Sequence, residues 1–187
     1  MKNTNIEIRW HGRGGQGAIT AAKIVAKAMF ASGYTGVVMA PSFGTERRGA
    51  PVFTSLKVSR DKIYDLSPTT RPDIVVVLDH LLLKEADVTQ GLKPGGLVVI
   101  NTPLSLADCG LNGTRVAAAD VTSLAVKAGL RQGIVNSGII GAFARAAGLV
   151  DINLLLKNIE EEFTGRRPRE NALAARLCYD NTLMGGS

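Results

Sequence analysis

The residues best suited to chemistry lie in one run, Trp10-His11-Gly12-Arg13-Gly14-Gly15-Gln16-Gly17-Ala18-Ile19-Thr20. The glycines at 12, 14, 15 and 17 let the backbone turn sharply and come close to a ligand. An alanine-rich helix opening at Ala18 turns its first, unpaired amides toward whatever sits above the loop, which favours an anion. Arg13 adds a forked, charged donor, while Gln16 and Thr20 add neutral hydrogen-bonding groups. Arg47 and Arg48 follow in a second loop, residues 40–51, which is bracketed by prolines and broken by Gly44 and Gly49. This chemistry is recognition of a phosphate-bearing ligand or of a partner surface. No catalytic residue is assigned. With His11 and His80 the only histidines, a His-based metal site or proton relay has little material, and no metal site is assigned.

Two familiar nucleotide loops fit poorly. Gly12, Gly14 and Gly17 satisfy G-x-G-x-x-G, but that fingerprint also needs a carboxylate at the end of the second strand, roughly 20 residues on, to hold a ribose. Here the second strand runs into Ala40-Pro41-Ser42, and Glu46 comes late among arginines. No Gly-Lys-Ser/Thr follows at the spacing of a Walker loop. A tight strand-to-helix turn without a ligand remains an alternative.

The elements that position these loops are legible from hydrophobic periodicity. Strands are expected over residues 6–10, 34–39, 52–58, 73–79, 97–100 and, more weakly, 115–119. The run Ile74-Val75-Val76-Val77-Leu78 is continuous and β-branched, as a strand buried on both faces would be. Residues 52–58 and Ile63-Tyr64 flank a turn-like segment and are expected to form a hairpin. Helices are expected over 18–31, 80–88, 121–130 with Asp120 as its cap, 135–147, from Asp151 or Asn153 to the run Glu160-Glu161-Glu162, and 168–183 with Pro168 in the first turn. Gly138, Gly141 or Ala142, and Ala146 put small residues on one helix face, which favours close packing. The tail Gly185-Gly186-Ser187 is expected to fray. The alternation implies a single domain over residues 1–187: an α/β, three-layer α/β/α sandwich of Rossmann-like type, with a largely parallel or mixed sheet and a β-hairpin insertion.

Composition narrows the class. A chain of 187 residues, 45% hydrophobic and 20% charged, can build a substantial core and is not of the disordered kind. Its apolar runs are too short to span a bilayer, and Met1-Lys2-Asn3-Thr4-Asn5 lacks the apolar segment of a signal peptide, so a cytoplasmic location is expected. Cys109 and Cys178 form no Cys-x-x-Cys pair and cannot hold an iron–sulfur cluster alone. A net charge of +6 comes without aromatic-basic interleaving, which argues against nucleic acid and for an anionic small molecule or an acidic partner.

Two motifs in order carry a family resemblance: Arg9-Trp10-His11-Gly12-Arg13-Gly14-Gly15-Gln16-Gly17 and Pro41-Ser42-Phe43-Gly44-Thr45-Glu46-Arg47-Arg48-Gly49-Ala50-Pro51. Together they resemble the gamma subunit of 2-oxoacid:ferredoxin oxidoreductases, most nearly the pyruvate and branched-chain members. The likeness continues through Asp73–Asp79 and Lys93-Pro94-Gly95-Gly96 and covers most of residues 6–145. It implies an α/β subunit of an assembly that converts a 2-oxoacid, CoA and oxidised ferredoxin to acyl-CoA, CO2 and reduced ferredoxin. It also implies partners of alpha, beta and delta type, with thiamine diphosphate and iron–sulfur clusters on those other subunits, ferredoxin met through the complex, and no turnover by this chain alone. CoA, with its diphosphate and 3′-phosphate, becomes the expected anion for Gly12, Arg13, Gly14, Gly15, Gln16, Gly17, Thr20, Arg47 and Arg48. Arg47 and Arg48 serve equally well as a subunit contact. His11 is expected to pack or hydrogen-bond, Asp79 to cap the following helix, and Arg166, Arg167 and Arg169 to lie on the surface or at an interface. An isolated chain is expected to self-associate, as a homodimer for example, through its uncovered partner surface.

Overall fold

The computed structural model describes residues 5–41 and 48–185. Alternating side chains on β1 (Ile6–Arg13) send Ile8 and Trp10 to one face of a sheet and Arg9 and His11 to the other. The remaining strands are β2 (Gly36–Pro41), β3 (Pro51–Ser59), β4 (Ile74–Val77), β5 (Leu97–Asn101), β6 (Arg115–Ala119) and β7 (Leu183–Gly185). They form one mixed sheet in the order β2-β3-β1-β4-β5-β6-β7. The centre, β1-β4-β5-β6, is parallel, and β3 and β7 join it antiparallel on either side.

β4 is apolar at every position, and β5 and β6 are apolar but for Asn101 and Arg115 at one end, because both faces of these strands are covered. Ile74, Val76, Leu97 and Val99 meet the helices α1 (Ala18–Ala31), α3 (Asn136–Ala147), α4 (Ile152–Glu162) and α5 (Pro168–Asn181), with the Trp10 ring tilted against Phe143 of α3 at 5.4 Å between centroids. Val75, Val77, Val98 and Ile100 meet a thinner layer of 3₁₀ turns, His80–Lys84 and Ala107–Cys109, and their flanking loops. The remaining helix, α2 (Val121–Lys127), packs its Ala125 beside Ala174 of α5. No helix among the described residues is long and apolar enough to cross a membrane.

The α/β sandwich with a mixed sheet and a hairpin insertion is the architecture expected, with three local differences. The hairpin joins β2 to β3, not 52–58 to 63–64. β3 is an interior strand whose edges are filled by β1 and β2, so Ile63-Tyr64 has no edge to pair with and runs irregularly. The expected helix over 80–88 is a short 3₁₀ turn, because the Asp79 carboxylate accepts from Leu81 N and draws the chain into a tight cap. The last helix ends at Asn181, and Leu183–Gly185 adds antiparallel to the open edge of β6; of the tail expected to fray, Gly185 is paired there, and Gly186 and Ser187 lie outside the described residues. There Thr182 is extended, and its hydroxyl donates to the Cys178 carbonyl at 2.6 Å.

The small-residue face of α3 does pack closely. A Cβ on Gly141 would run into the Ala175 carbonyl of α5, and one on Gly138 into Val121 and Cys178. Gly141→Ala should therefore force the two helices apart and lower stability by about 3 kcal/mol in urea denaturation, against the small gain Ala brings at an open helical site.

Candidate functional site

The two loops singled out in the sequence are joined by backbone hydrogen bonds. β1 and β3 keep their antiparallel register to Arg13 opposite Pro51, and the pairing continues past the strands: Gly14 N donates to Ala50 O at 2.9 Å, and Gly49 N donates to Gly14 O at 3.1 Å. Arg48 is exposed, with its Cγ 3.9 Å from where a Cβ on Gly15 would lie. It makes no hydrogen bond or ion pair with a described residue. Arg47 lies outside the described residues. β1 and β2 are not neighbours, so the loops meet because β3 returns between them.

Arg13 faces away from the helix layer and is committed within the protein. Its Nε donates to Asp79 Oδ2 at 2.7 Å, Nη1 to Glu85 Oε2 at 3.0 Å and to Gly49 O at 3.3 Å, and Nη2 to Glu85 Oε1 at 2.6 Å. The Glu85 and Asp79 carboxylates hold the guanidinium proton even more firmly than usual. Burial pushes the Asp79 carboxyl up, but Arg13 and the Leu81 amide outweigh it and the net shift is downward; Arg13 lowers Glu85 directly. Asp79 thus caps the 3₁₀ turn as expected and also anchors Arg13, a partnership between positions 66 residues apart.

On the helix side the chain climbs through Gly15 and Gly17, at φ 90° and 81°, into α1. Gln16 braces the turn: its Oε1 accepts from Arg13 N at 2.8 Å, and its N donates to Arg13 O at 2.9 Å. A Cβ on Gly17 would fall 2.7 Å from Asn136 Nδ2, so glycine is needed for space as well as for φ. α1 has no side-chain cap and no acidic residue in its first turn, and Thr20 sits half-buried within that turn.

Gln16 separates two cavities of different electrostatic character. One, of about 330 Å³, lies in the crevice beyond the carboxyl ends of β4–β6 and carries Asp79 and Asp120. The other, of about 280 Å³, is lined by Gly15, Gln16, Gly17, Asn136, Arg166 and Arg167 among others, and no carboxylate lines it. The starts of α1, α3 and α5 all border this second cavity, and none of the three has a side-chain cap, whereas Asp120 caps α2 and Asp151 caps α4. Three positive helix ends and two guanidiniums around one space make it suited to a phosphate group.

Arg166 and Arg167 are exposed, as expected, yet they share a cavity with the Gly-rich loop about 150 residues earlier in the chain. Arg166 lies over the Phe163 ring at 5.5 Å, and Arg167 Nη1 donates to Gly129 O at 2.6 Å. Buried Asn171 fixes both: its Nδ2 donates to the Arg166 and Arg167 carbonyls at 3.2 and 2.8 Å, while its Oδ1 accepts from Ser137 Oγ at 2.9 Å. Arg167 holds φ 56°, unusual for a residue with a Cβ. The arginine cluster was visible in the sequence; its place was not. Neither cysteine is activated. Both thiols are free and buried, and burial pushes Cys178 up to about 12.

The chain matches the family model described as pyruvate ferredoxin/flavodoxin oxidoreductase over residues 7–181. It is 43% identical over 181 residues to the common gamma subunit of the pyruvate/ketoisovalerate oxidoreductases of Pyrococcus furiosus, covering 95% of this chain and 97% of that one. Among solved structures it is similar to the pyruvate oxidoreductase subunit PORC of Thermotoga maritima, with a TM-score of 0.84, 31% identity, and 98% and 99% of the two chains covered. It also has the fold of a part of the 2-oxoglutarate:ferredoxin oxidoreductase of Magnetococcus marinus, a structure with 2-oxoglutarate, coenzyme A and succinyl-CoA bound. That likeness has a TM-score of 0.71 at 19% identity, and covers 96% of this chain and 30% of that one.

Replacing Arg13 tests its role as an anchor. Both carboxylates have folded-state pKa values below their ordinary ones, so Arg13 stabilises the fold above those ordinary values and loses that effect as pH falls through the depressed ones. Arg13→Gln should be less stable than wild type at pH 7, with the difference shrinking below about pH 4, in denaturation curves taken across pH.

Proposed function

Because the chain belongs to the pyruvate ferredoxin/flavodoxin oxidoreductase family, and is a gamma subunit of a 2-oxoacid:ferredoxin oxidoreductase, we propose that its role in that enzyme is to help bind coenzyme A through phosphate. The observation that carries the proposal is the carboxylate-free cavity bordered by three uncapped helix starts, with Arg166 and Arg167 on its wall and Arg48 beside Gly15. In the reaction CoA supplies the thiol that accepts the acyl group. This chain's residues bind and orient: the amides at Gly15, Gly17 and Ala18 face a phosphate, the guanidiniums of Arg48, Arg166 and Arg167 neutralise it, and Gln16 holds the loop in shape. Arg47 belongs to the same proposal from the sequence alone. Gly12 and Arg13 act beneath the loop rather than on the ligand. A Cβ on Gly12 would lie 3.3 Å from Ala18 Cβ, leaving little room there, and Arg13 is spent on Asp79 and Glu85.

The cavity is small for a whole CoA, so the rest of the ligand would lie on alpha-, beta- or delta-type partners, which also hold thiamine diphosphate and the clusters and meet ferredoxin in the cytoplasm. On this reading the isolated chain turns nothing over and self-associates when concentrated. Tyr64, Leu66, Leu183 and Met184, all half or more exposed, are apolar surface for such contacts. A free-standing dinucleotide enzyme fits less well, since β2 ends at Pro41 without a ribose-binding carboxylate.

Arg166→Ala and Arg48→Ala, each in the assembled enzyme, should raise KM for CoA about tenfold or more, the value of a lost charge-assisted bond, with KM for the 2-oxoacid unchanged. Loss of assembly with an unaltered KM in whatever complex remains would instead make these arginines a docking surface.

A further inference from the structure

On the sheet face opposite the phosphate cavity lies another cavity, of about 260 Å³, bounded by Arg9, His11, Val52, Phe53, Leu82, Ala86, Asp87, Val88 and Gln90 with Pro51. The role proposed above makes no use of it. Arg9 is only 7% exposed and has no salt bridge among the described residues. Its Nη2 donates to the Val88 and Gln90 carbonyls at 2.9 and 2.6 Å, and its Nε to His11 Nε2 at 2.9 Å. Its Nη1 has no hydrogen-bond partner among the described residues.

Because His11 Nε2 accepts, its remaining proton sits on Nδ1, which likewise has no described partner. Burial and the adjacent Arg9 push the imidazole down to about 4, so it stays neutral while Arg9 stays charged. A buried guanidinium without a counter-ion is costly unless something compensates it. Asp87 on the wall lends only through-space relief, without an ion pair. Phe53, its ring tilted against His11 at 5.9 Å between centroids, and Val52, Leu82 and Val88 give the same space apolar walls.

We propose that this cavity is a binding site for a free short-chain carboxylate with an apolar tail. Arg9 meets the charge, His11 donates a neutral N–H, and Phe53, Val52 and Leu82 enclose the tail. The complementary groups are an anion head and a body of few carbons, since the cavity is too small for a chain segment.

The test uses the purified full chain with its imidazoles labelled for NMR. His80→Gln assigns the His11 signal. Acetate, isobutyrate, isobutyramide and a tripeptide with a free C-terminal carboxylate are titrated in turn at pH 7. The proposal expects a saturable shift of the His11 signal with isobutyrate, about tenfold weaker binding of acetate, and no saturation with the amide. Ala86→Leu, at an exposed rim position, should weaken isobutyrate at least about tenfold by filling the space, and Arg9→Met should abolish its binding. Because Arg9 is buried, Ala86→Leu decides the matter if Arg9→Met fails to fold. Equal effects of acid and amide, or an unchanged affinity in Ala86→Leu, would overturn the proposal. So would tighter binding of the tripeptide, which would make the cavity a socket for another chain's terminus.

Discussion

The organisation of this molecule depends on the antiparallel pairing of β1 with β3 being carried beyond the strands into the loops that follow and precede them. Two backbone hydrogen bonds, Gly14 with Ala50 and with Gly49, lock the glycine-rich turn to the second loop. The return of β3 between β1 and β2 brings the two loops into register, which is why the hairpin insertion matters more than its size suggests. Once the loops are joined, parity assigns the side chains. Arg13, in step with Arg9 and His11, falls on the thin face and is taken by Asp79 and Glu85, while the glycines that follow lift the chain toward α1. The loop is therefore tied from below by charge and held open above.

What lies above is organised by the helix layer. Asp120 and Asp151 cap α2 and α4, away from this cavity, while α1, α3 and α5 start around it without a capping carboxylate. Leaving donors unpaired disfavours a helix start unless water or a ligand meets them. Here Asn171 holds Arg166 and Arg167 at the same opening through their carbonyls, so its own polar atoms are spent on placement and the guanidiniums stay at the surface.

Much of this was legible in the sequence, for physical reasons. The buried parallel strands announce themselves as β-branched runs, and the glycine stripe of α3 as small residues at helical spacing, because both signals are local. The family emerged from two motifs whose order and spacing are likewise local. What the sequence hid was pairing at a distance. The partner of β3 depended on which sheet edge was free, and β7 on an edge of β6 that no local pattern records. Arg13 read as a ligand contact because Asp79 and Glu85, 66 and 72 residues on, could not be seen to reach it. Arg166 and Arg167 read as surface or interface residues, and their nearness to Gly15 and Gly17 was hidden because only the fold joins them. Alternation within β1 does put Arg9 and His11 on one face, apart from the loop they introduce.

On the proposed reading, CoA phosphate sits over the starts of α1, α3 and α5 of this chain. Hydrogen–deuterium exchange on the assembled enzyme, with and without saturating CoA, reads the backbone amides at these helix starts themselves. Slower exchange on CoA binding is expected at peptides holding Gly15 to Thr20, Asn136 and Arg167, with the carboxylate-bearing crevice at Asn101 and Asp120 unchanged. Unchanged exchange at all three helix starts, in an enzyme whose turnover depends on CoA, would contradict that reading.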